Sequence, residues 1–395
     1  MLRTTPFHSR TAALCGSYAW RRWAGYAVAS SYALSHEREY HAIRSAAALL
    51  DVSPLYKYRV SGKDAARLLD RVVPRHVAPT AVGQVLYTPW CDAAGKVLDD
   101  GTIARLDEEI FRMTSADPGL RWLEENAAGL DVAIGDVSDS VAALALQGPE
   151  SRAILQRVCD ADIGGLKYFR ALQTRLRNIP VTVSRTGYTG DLGFEIWLDA
   201  RDALAVWDAL VGAGAPYGIT PAGMLALDMA RIEAGLMLID VDYVSARKAL
   251  IPDQTSTPFE LDLGWAVNLD KENFVGKRAL QDAARRGPAW RFVGVEIDRE
   301  SLDQLYVDAG LATQLPATAW RASVPLYADG EQVGYATSGC WSPLLKRYIA
   351  LAHVGSPHAS TGEKLEMEVT VEHHRVRAEA RVVSKPFFDP ERKRA

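Results

Sequence analysis

The sequence predicts an α+β protein that ends in an all-β unit, and three observations carry that prediction. Its 395 residues exceed one ordinary hydrophobic core, so two or three packed units are expected. Up to about residue 285, helical stripes and strand pairs alternate without the regular strand–helix rhythm of a parallel sheet. From about Arg291 onward only period-two alternation remains, broken by turns such as Asp329-Gly330, as in a small β-barrel or sandwich. The expected division is therefore 1–285, 286–388 and a basic tail, 389–395, that frays.

Composition narrows the function. With 48% hydrophobic and 24% charged residues the chain is ordinary for a soluble protein. A net charge of −4 gives no case for nucleic acid or an anionic membrane as main partner. Four cysteines lie scattered without a CxxC or a nearby histidine cluster, which predicts reduced thiols, a cytoplasmic location and no metal. The first 32 residues are rich in Arg and Ser, like a transit peptide, but their longest weakly apolar run is too short to span a bilayer.

The elements follow in order. Residues 35–50 carry a helical stripe of Ile43, Ala46, Ala47 and Leu50, with Glu37 and Glu39 in the first turn. Residues 51–60 alternate like a strand, and 62–73 read as a second helix. Residues 84–106 form a strand pair turned at Ala93-Ala94-Gly95. After a helix over 118–128, the apolar run 141–146 is a buried strand, with Pro149 placed to begin the next helix. Residues 201–211 are helical. Thr220-Pro221 reads as a helix start and Gly235 as its stop. That helix carries Asp228 and Arg231 three residues apart, a surface ion pair unless Arg231 points into a cleft.

The stretch from Ser184 to Trp197, SRTGYTGDLGFEIW, is the centre of the reading. It predicts two strands joined by a glycine-framed turn. In the second, Glu195 alternates with Phe194 and Ile196 and is flanked by large apolar residues. One reading places Glu195 on a wet face. In the other it is paired with a flat heterocycle bearing two adjacent N–H donors, as the pterin of a folate does.

Taken together, these residues resemble the tetrahydrofolate-dependent aminomethyltransferase family, the glycine-cleavage T-protein and its relatives. The resemblance rests on Asp51–Ser53 (DVS), Asp99-Asp100, Ala145–Ser151 (ALQGPES) and the Ser184–Trp197 stretch. It continues through Arg231–Leu236 (RIEAGL), Leu263–Val267 (LGWAV), Phe274–Leu280 (FVGKRAL) and Thr337–Val354. It implies a cloverleaf of two interleaved α+β subdomains and a C-terminal barrel around a central folate cavity. It also makes the Arg-rich N-terminal segment part of the fold. Glu195 would bind the pterin, Tyr87 and Tyr188 would line the ligand, Arg231 would hold folate or its site, and Trp265 would be another wall. Asp100 matches the acid that organises transfer, where a carboxylate stabilises the charge appearing on nitrogen and accepts its proton.

The sequence departs from the T-protein pattern on the expected donor side. Gly101-Thr102-Ile103-Ala104 replaces an apolar run, with Ala104 where an aromatic wall is expected. Thr114–Asp117 replaces an asparagine-containing segment, and Pro54-Leu55-Tyr56 follows DVS. Residues 240–254 and 301–321 are long, and the second reads as a lid or an interface. These changes favour a demethylase that moves a methyl group from a small donor, such as an aryl methyl ether, to tetrahydrofolate. Tyr243 and Tyr56 are its candidate acids, or else packing residues. The alternative is the aminomethyltransferase itself, whose donor is a lipoyl carrier protein. A non-catalytic folate-binding protein is the third reading, disfavoured by the retained Asp100.

Overall fold

The computed structural model describes residues 2–395. An N-terminal arm folds as a helix, His8–Leu14, beside a three-stranded sheet of Arg3–Thr4, Tyr26–Ala29 and Trp20–Trp23. The chain then enters a six-stranded sheet ordered Ala171–Leu176, Ile179–Ser184, Gly193–Asp199, Val141–Gln147, Ala47–Asp51 and Ile219–Pro221. It leaves this sheet after Asp51, builds a second one, and returns at Val141. The second sheet runs Val85–Cys91, Val97–Asp107, Ile110–Ser115, Tyr56–Ser61 and Ala133–Asp136. The two α+β subdomains are thus interleaved, as expected. A closed six-stranded barrel begins at Trp290–Ile297 and ends with His374–Val383.

One apolar core joins all three units. Tyr40, Met229, Ile232 and Tyr243 share it with Phe292, Cys340, Ile349 and Leu351 of the barrel. Each unit also has a core of its own. All four cysteines are buried and free, and among the described residues no cluster of metal-ligating side chains occurs. No helix among the described residues is long and apolar enough to cross a membrane.

Four expectations need correction. The helix expected over 35–50 stops at Ser45, and Ala47–Asp51 is instead a strand in the interior of the first sheet. A strand buried on both faces is a continuous apolar run, which matches a helical stripe equally well. Thr220-Pro221 does not start a helix: Ile219–Pro221 is a short edge strand parallel to Ala47–Asp51, where a proline can sit without an N–H to donate. The helix begins at Met224 and runs to Glu233. Residues 301–308, read as part of a loop, are helical, while 309–319 carry no helix or strand. The helix Arg299–Asp308, capped by Asp298 accepting from Ser301 N at 2.8 Å, buries Leu302 and Tyr306 in the barrel core.

The fourth correction concerns the tail, which is docked and not frayed. Phe388 N donates to Glu233 O at 2.8 Å, and the Arg392 guanidinium reaches both oxygens of buried Asp191 at 2.6 and 2.9 Å. Arg44 meets the same Asp191 at 3.4 Å and Glu233 at 2.6 Å. A strap therefore crosses from the barrel onto the first subdomain.

Candidate functional site

The three units enclose a cavity of about 940 Å³. That volume lies at the upper end of small-ligand sites. Its wall takes residues from the N-terminal arm, both subdomains, the 235–241 turn, the barrel's Arg321 and the strap.

Asp100 stands on this wall, in the strand Val97–Asp107. Its neighbour Asp99 points to the opposite face and is spent on structure. It accepts from the backbone N–H groups of Asp100, Ala116 and Asp117 at 2.8, 3.1 and 2.9 Å. The strand is thereby pinned to the turn after Ile110–Ser115, and Asp100 is aimed at the cavity. Two phenols then clamp it. Tyr87 donates to Oδ2 at 2.7 Å from the paired strand, and Tyr243 donates to Oδ1 from the 240–254 segment. Burial raises the Asp100 pKa above the usual carboxylate range, and the phenols, Tyr243 first, pull it part of the way back. Both phenols are driven well above their ordinary value, mainly by burial and then by Asp100 itself.

Glu195 stands on the same cavity wall as expected, in the strand Gly193–Asp199. The turn before it is built around Gln147. The amide of Gln147 lies where side chains at Gly187 and Gly193 would be, with its atoms 2.2 and 2.3 Å from the positions of added Cβ atoms. Thr189 Oγ1 donates to Gln147 Oε1 at 2.8 Å. Only glycine at both positions lets the two sheet edges close on this amide. Glu195 accepts one hydrogen bond, from Thr186 Oγ1, and has no ion pair among the described residues. Burial raises its pKa, with Thr186 and the charge of Arg112 opposing. Arg112 lies over the Trp197 ring at 4.0 Å, and its own burial pushes it down to about 9. Glu195 is thus a half-compensated carboxylate with free acceptor positions.

The other predicted residues fall as follows. Tyr188 lines the cavity and donates to Met237 O. Trp265, 61% exposed, stacks on Tyr87 with ring centroids 6.2 Å apart. Tyr56 lines the cavity. Tyr243 is brought to the site but sits behind Asp100, outside the lining, with its hydroxyl committed to that carboxylate. Arg231 does point into a cleft, and its pair with Asp228 is buried, not superficial. It is 1% exposed, bound by Asp228 at 3.0 Å and by Asp242, and its Nη2 is buried without a partner. Ala104 is not on the wall at all; it packs with Val85 and Ala171.

Sequence reasoning missed Thr186, Arg112, the shared role of Asp228 and the strap. Asp228 takes Arg231 on one oxygen and Arg321 on the other, the latter at 2.6 Å. Thr186 carries a signal, since it lies within the motif. The others depend on contacts between residues some 85 to 201 positions apart.

Comparison with known proteins then decides the family. Residues 6–271 match the GCVT N-terminal domain and 309–389 the glycine cleavage T-protein C-terminal barrel domain. The chain belongs to the glycine-cleavage T-protein family. An aminomethyltransferase of Streptomyces avermitilis is 37% identical over 82% of this chain and 83% of its own length. One from Bacillus pumilus is 33% identical over 90% of both. A trimethylamine-oxide aldolase of Ruegeria pomeroyi is 34% identical over 100% of this chain, which spans 48% of that larger protein. The crystal structure of aminomethyltransferase T from Bartonella henselae superposes with a TM-score of 0.83 over 98% of this chain and 99% of its own, at 24% identity, and shows the same fold. The chain is, with its family, a one-carbon transferase. The relatives favour the aminomethyltransferase alternative over the aryl-ether demethylase expected above.

Proposed function

We propose that this chain transfers a one-carbon unit from an aminomethylated lipoyl carrier to tetrahydrofolate. The observation that carries the reading is the pairing, in one cavity, of a doubly clamped acid at Asp100 with an under-compensated carboxylate at Glu195. Glu195 fits the pterin because its free acceptor positions suit adjacent N–H donors. Tyr87, Tyr188 and Trp265 would flank the ligand, and Arg231 would hold the wall behind it. Folate would supply a nucleophilic amine that accepts the one-carbon unit. Asp100, held between two phenols, would stabilise positive charge near its oxygens and take up a proton there. A bound ligand would displace water from the cavity, which strengthens that interaction.

A second reading keeps folate and takes a small N-methylated or formaldehyde-yielding donor. It is favoured by the match to the trimethylamine-oxide aldolase, which takes in all of this chain and 48% of that protein. An aryl-ether demethylase needs an acid for the departing oxygen, and the Tyr243 hydroxyl is engaged at Asp100, which leaves Tyr56. The buried free thiols fit a cytoplasmic enzyme. The deciding experiment is anaerobic incubation with tetrahydrofolate and a donor panel, reading folate products by mass and ammonia. Ammonia with a folate product from aminomethyl-loaded carrier alone is expected. A product from small methylated donors and none from the carrier would replace this reading by the second.

A further inference from the structure

One wall of the cavity carries more positive charge than its carboxylates cancel. Asp228 accepts from Arg231 Nε at 3.0 Å and from Arg321 Nε at 2.6 Å. Asp242 is the other acid of the group, bound to Arg231. Arg21, from the hairpin strand Trp20–Trp23, lines the same cavity and has no carboxylate partner among the described residues. Its only side-chain bond is from Nε to Ser30 Oγ at 3.3 Å. Arg21 is close enough to feel both Arg321 and Asp228: burial first, then repulsion from Arg321, lowers its pKa, and Asp228 opposes. Three guanidiniums therefore face two carboxylates. The Nη2 of Arg231 is buried and also without a partner.

Arg21 is half-buried and Arg321 32% exposed, so both present donors to the cavity that an arriving anion can take. A lone surface arginine would swing into water, but this one sits on a paired strand, bonds Ser30 and lines the same cavity as Arg321. We infer that Arg21, with Arg321, forms a carboxylate-recognition subsite on the cavity wall. A planar guanidinium with both Nη groups free is the donor such a group takes bidentately. The inference rests on the one-carbon reading for the identity of the ligand. Two sources share the chemistry: the glutamyl carboxylate of folate, or a carboxylate on an amino-acid-like donor.

The test is calorimetric titration of the full chain and of Arg21→Gln and Arg21→Lys. The ligands are tetrahydrofolate, 6-methyltetrahydropterin (the reduced ring without the carboxylate-bearing aminobenzoyl-glutamate), N-methylglycine and dimethylamine. The expected result is a loss of about ten- to a hundredfold in Arg21→Gln for one carboxylate-bearing ligand and not for its carboxylate-free counterpart. A loss confined to tetrahydrofolate assigns the subsite to the glutamyl group. A loss confined to N-methylglycine assigns it to the donor. Arg21→Lys should recover part of the affinity, because charge returns without the fork. If Arg21→Gln binds all four within twofold of the parent, or the parent binds neither carboxylate-bearing ligand, the subsite does not exist. These titrations need no turnover, so an absence of folate product in the donor panel would sink the functional reading and leave this result standing on its own.

Discussion

At the scale of residues, the site turns on how Asp100 is held. Its carboxylate is the one acidic group on the wall with a phenol on each oxygen, and Asp99 fixes its backbone. Asp100→Asn should lower turnover by about 10²–10⁴-fold, the range for losing a positioned acid–base group. Fluorescence titration should show tetrahydrofolate affinity within a few fold of the parent, since Glu195 is untouched. Equal losses in both would make Asp100 a binding residue only. Tyr243→Phe tests the clamp. Both phenols donate to the ionised form and so lower a pKa that burial raises. Removing one must move the Asp100 pKa upward. If Asp100 works ionised, the acid limb of the kcat/KM profile shifts to higher pH while the alkaline limb stays. An unchanged acid limb would show that Tyr243 merely packs. Glu195 could be singled out from the local strand and turn pattern, whereas Asp100, Tyr87 and Tyr188 came only through the resemblance of their motifs to the family. Arg112 under Trp197, and Arg21 beside Arg321, could not: their partners lie 83 residues or more away in sequence, and no local pattern encodes such a contact.

At the scale of elements, the strap does what its composition did not announce. Arg392 is 39% exposed, yet the side chain of its partner Asp191 is fully buried, with the Leu192 N–H at 2.8 Å and Arg44 as its other cation at 3.4 Å. Arg392→Met should therefore cost about 2 kcal/mol, less than the 3–5 of a fully buried pair because water reaches the guanidinium. Calorimetry of the two proteins checks this; a Tm within one degree of the parent would mean that the strap contributes nothing to stability. The charged run at 389–395 reads as a fraying tail because solvation is the default for such a run. Here a buried aspartate on a distant turn overrides it. The same kind of override explains Ala47–Asp51. Its apolar run fits helix or strand equally, and the backbone partners Leu144 to Gln147 decide. Amphipathic elements were legible where one face is wet, as in the barrel strand Lys364–Val371.

At the scale of the whole molecule, the question is whether the barrel is an appendage or part of the site. The division into 1–285 and 286–388 puts the boundary through a shared core, because Met229, Ile232 and Tyr243 pack with Phe292, Cys340 and Leu351. The polar contacts cross the same boundary. Asp242 Oδ1 accepts from Thr337 and Ser338 of the barrel at 2.5 and 2.7 Å, and His353 Nε2 lies 2.6 Å from Asp242 O. Asp242 in turn binds Arg231, and the next residue, Tyr243, binds Asp100. The barrel thus reaches the acid through two adjacent side chains. A chain ending at residue 285 would expose that apolar face and leave the carboxylate of Asp242 with Arg231 and the Leu238 N–H, but without its two hydroxyl donors. We expect the full chain to unfold in one calorimetric transition. We expect the 1–285 fragment to bind a hydrophobic dye, to lose the cooperative transition and to bind tetrahydrofolate at least tenfold more weakly. A fragment that unfolds cooperatively near the parent Tm, with unchanged folate affinity, would make the barrel a separable domain. The route from Thr337 to Asp100 would then be packing without consequence for the site.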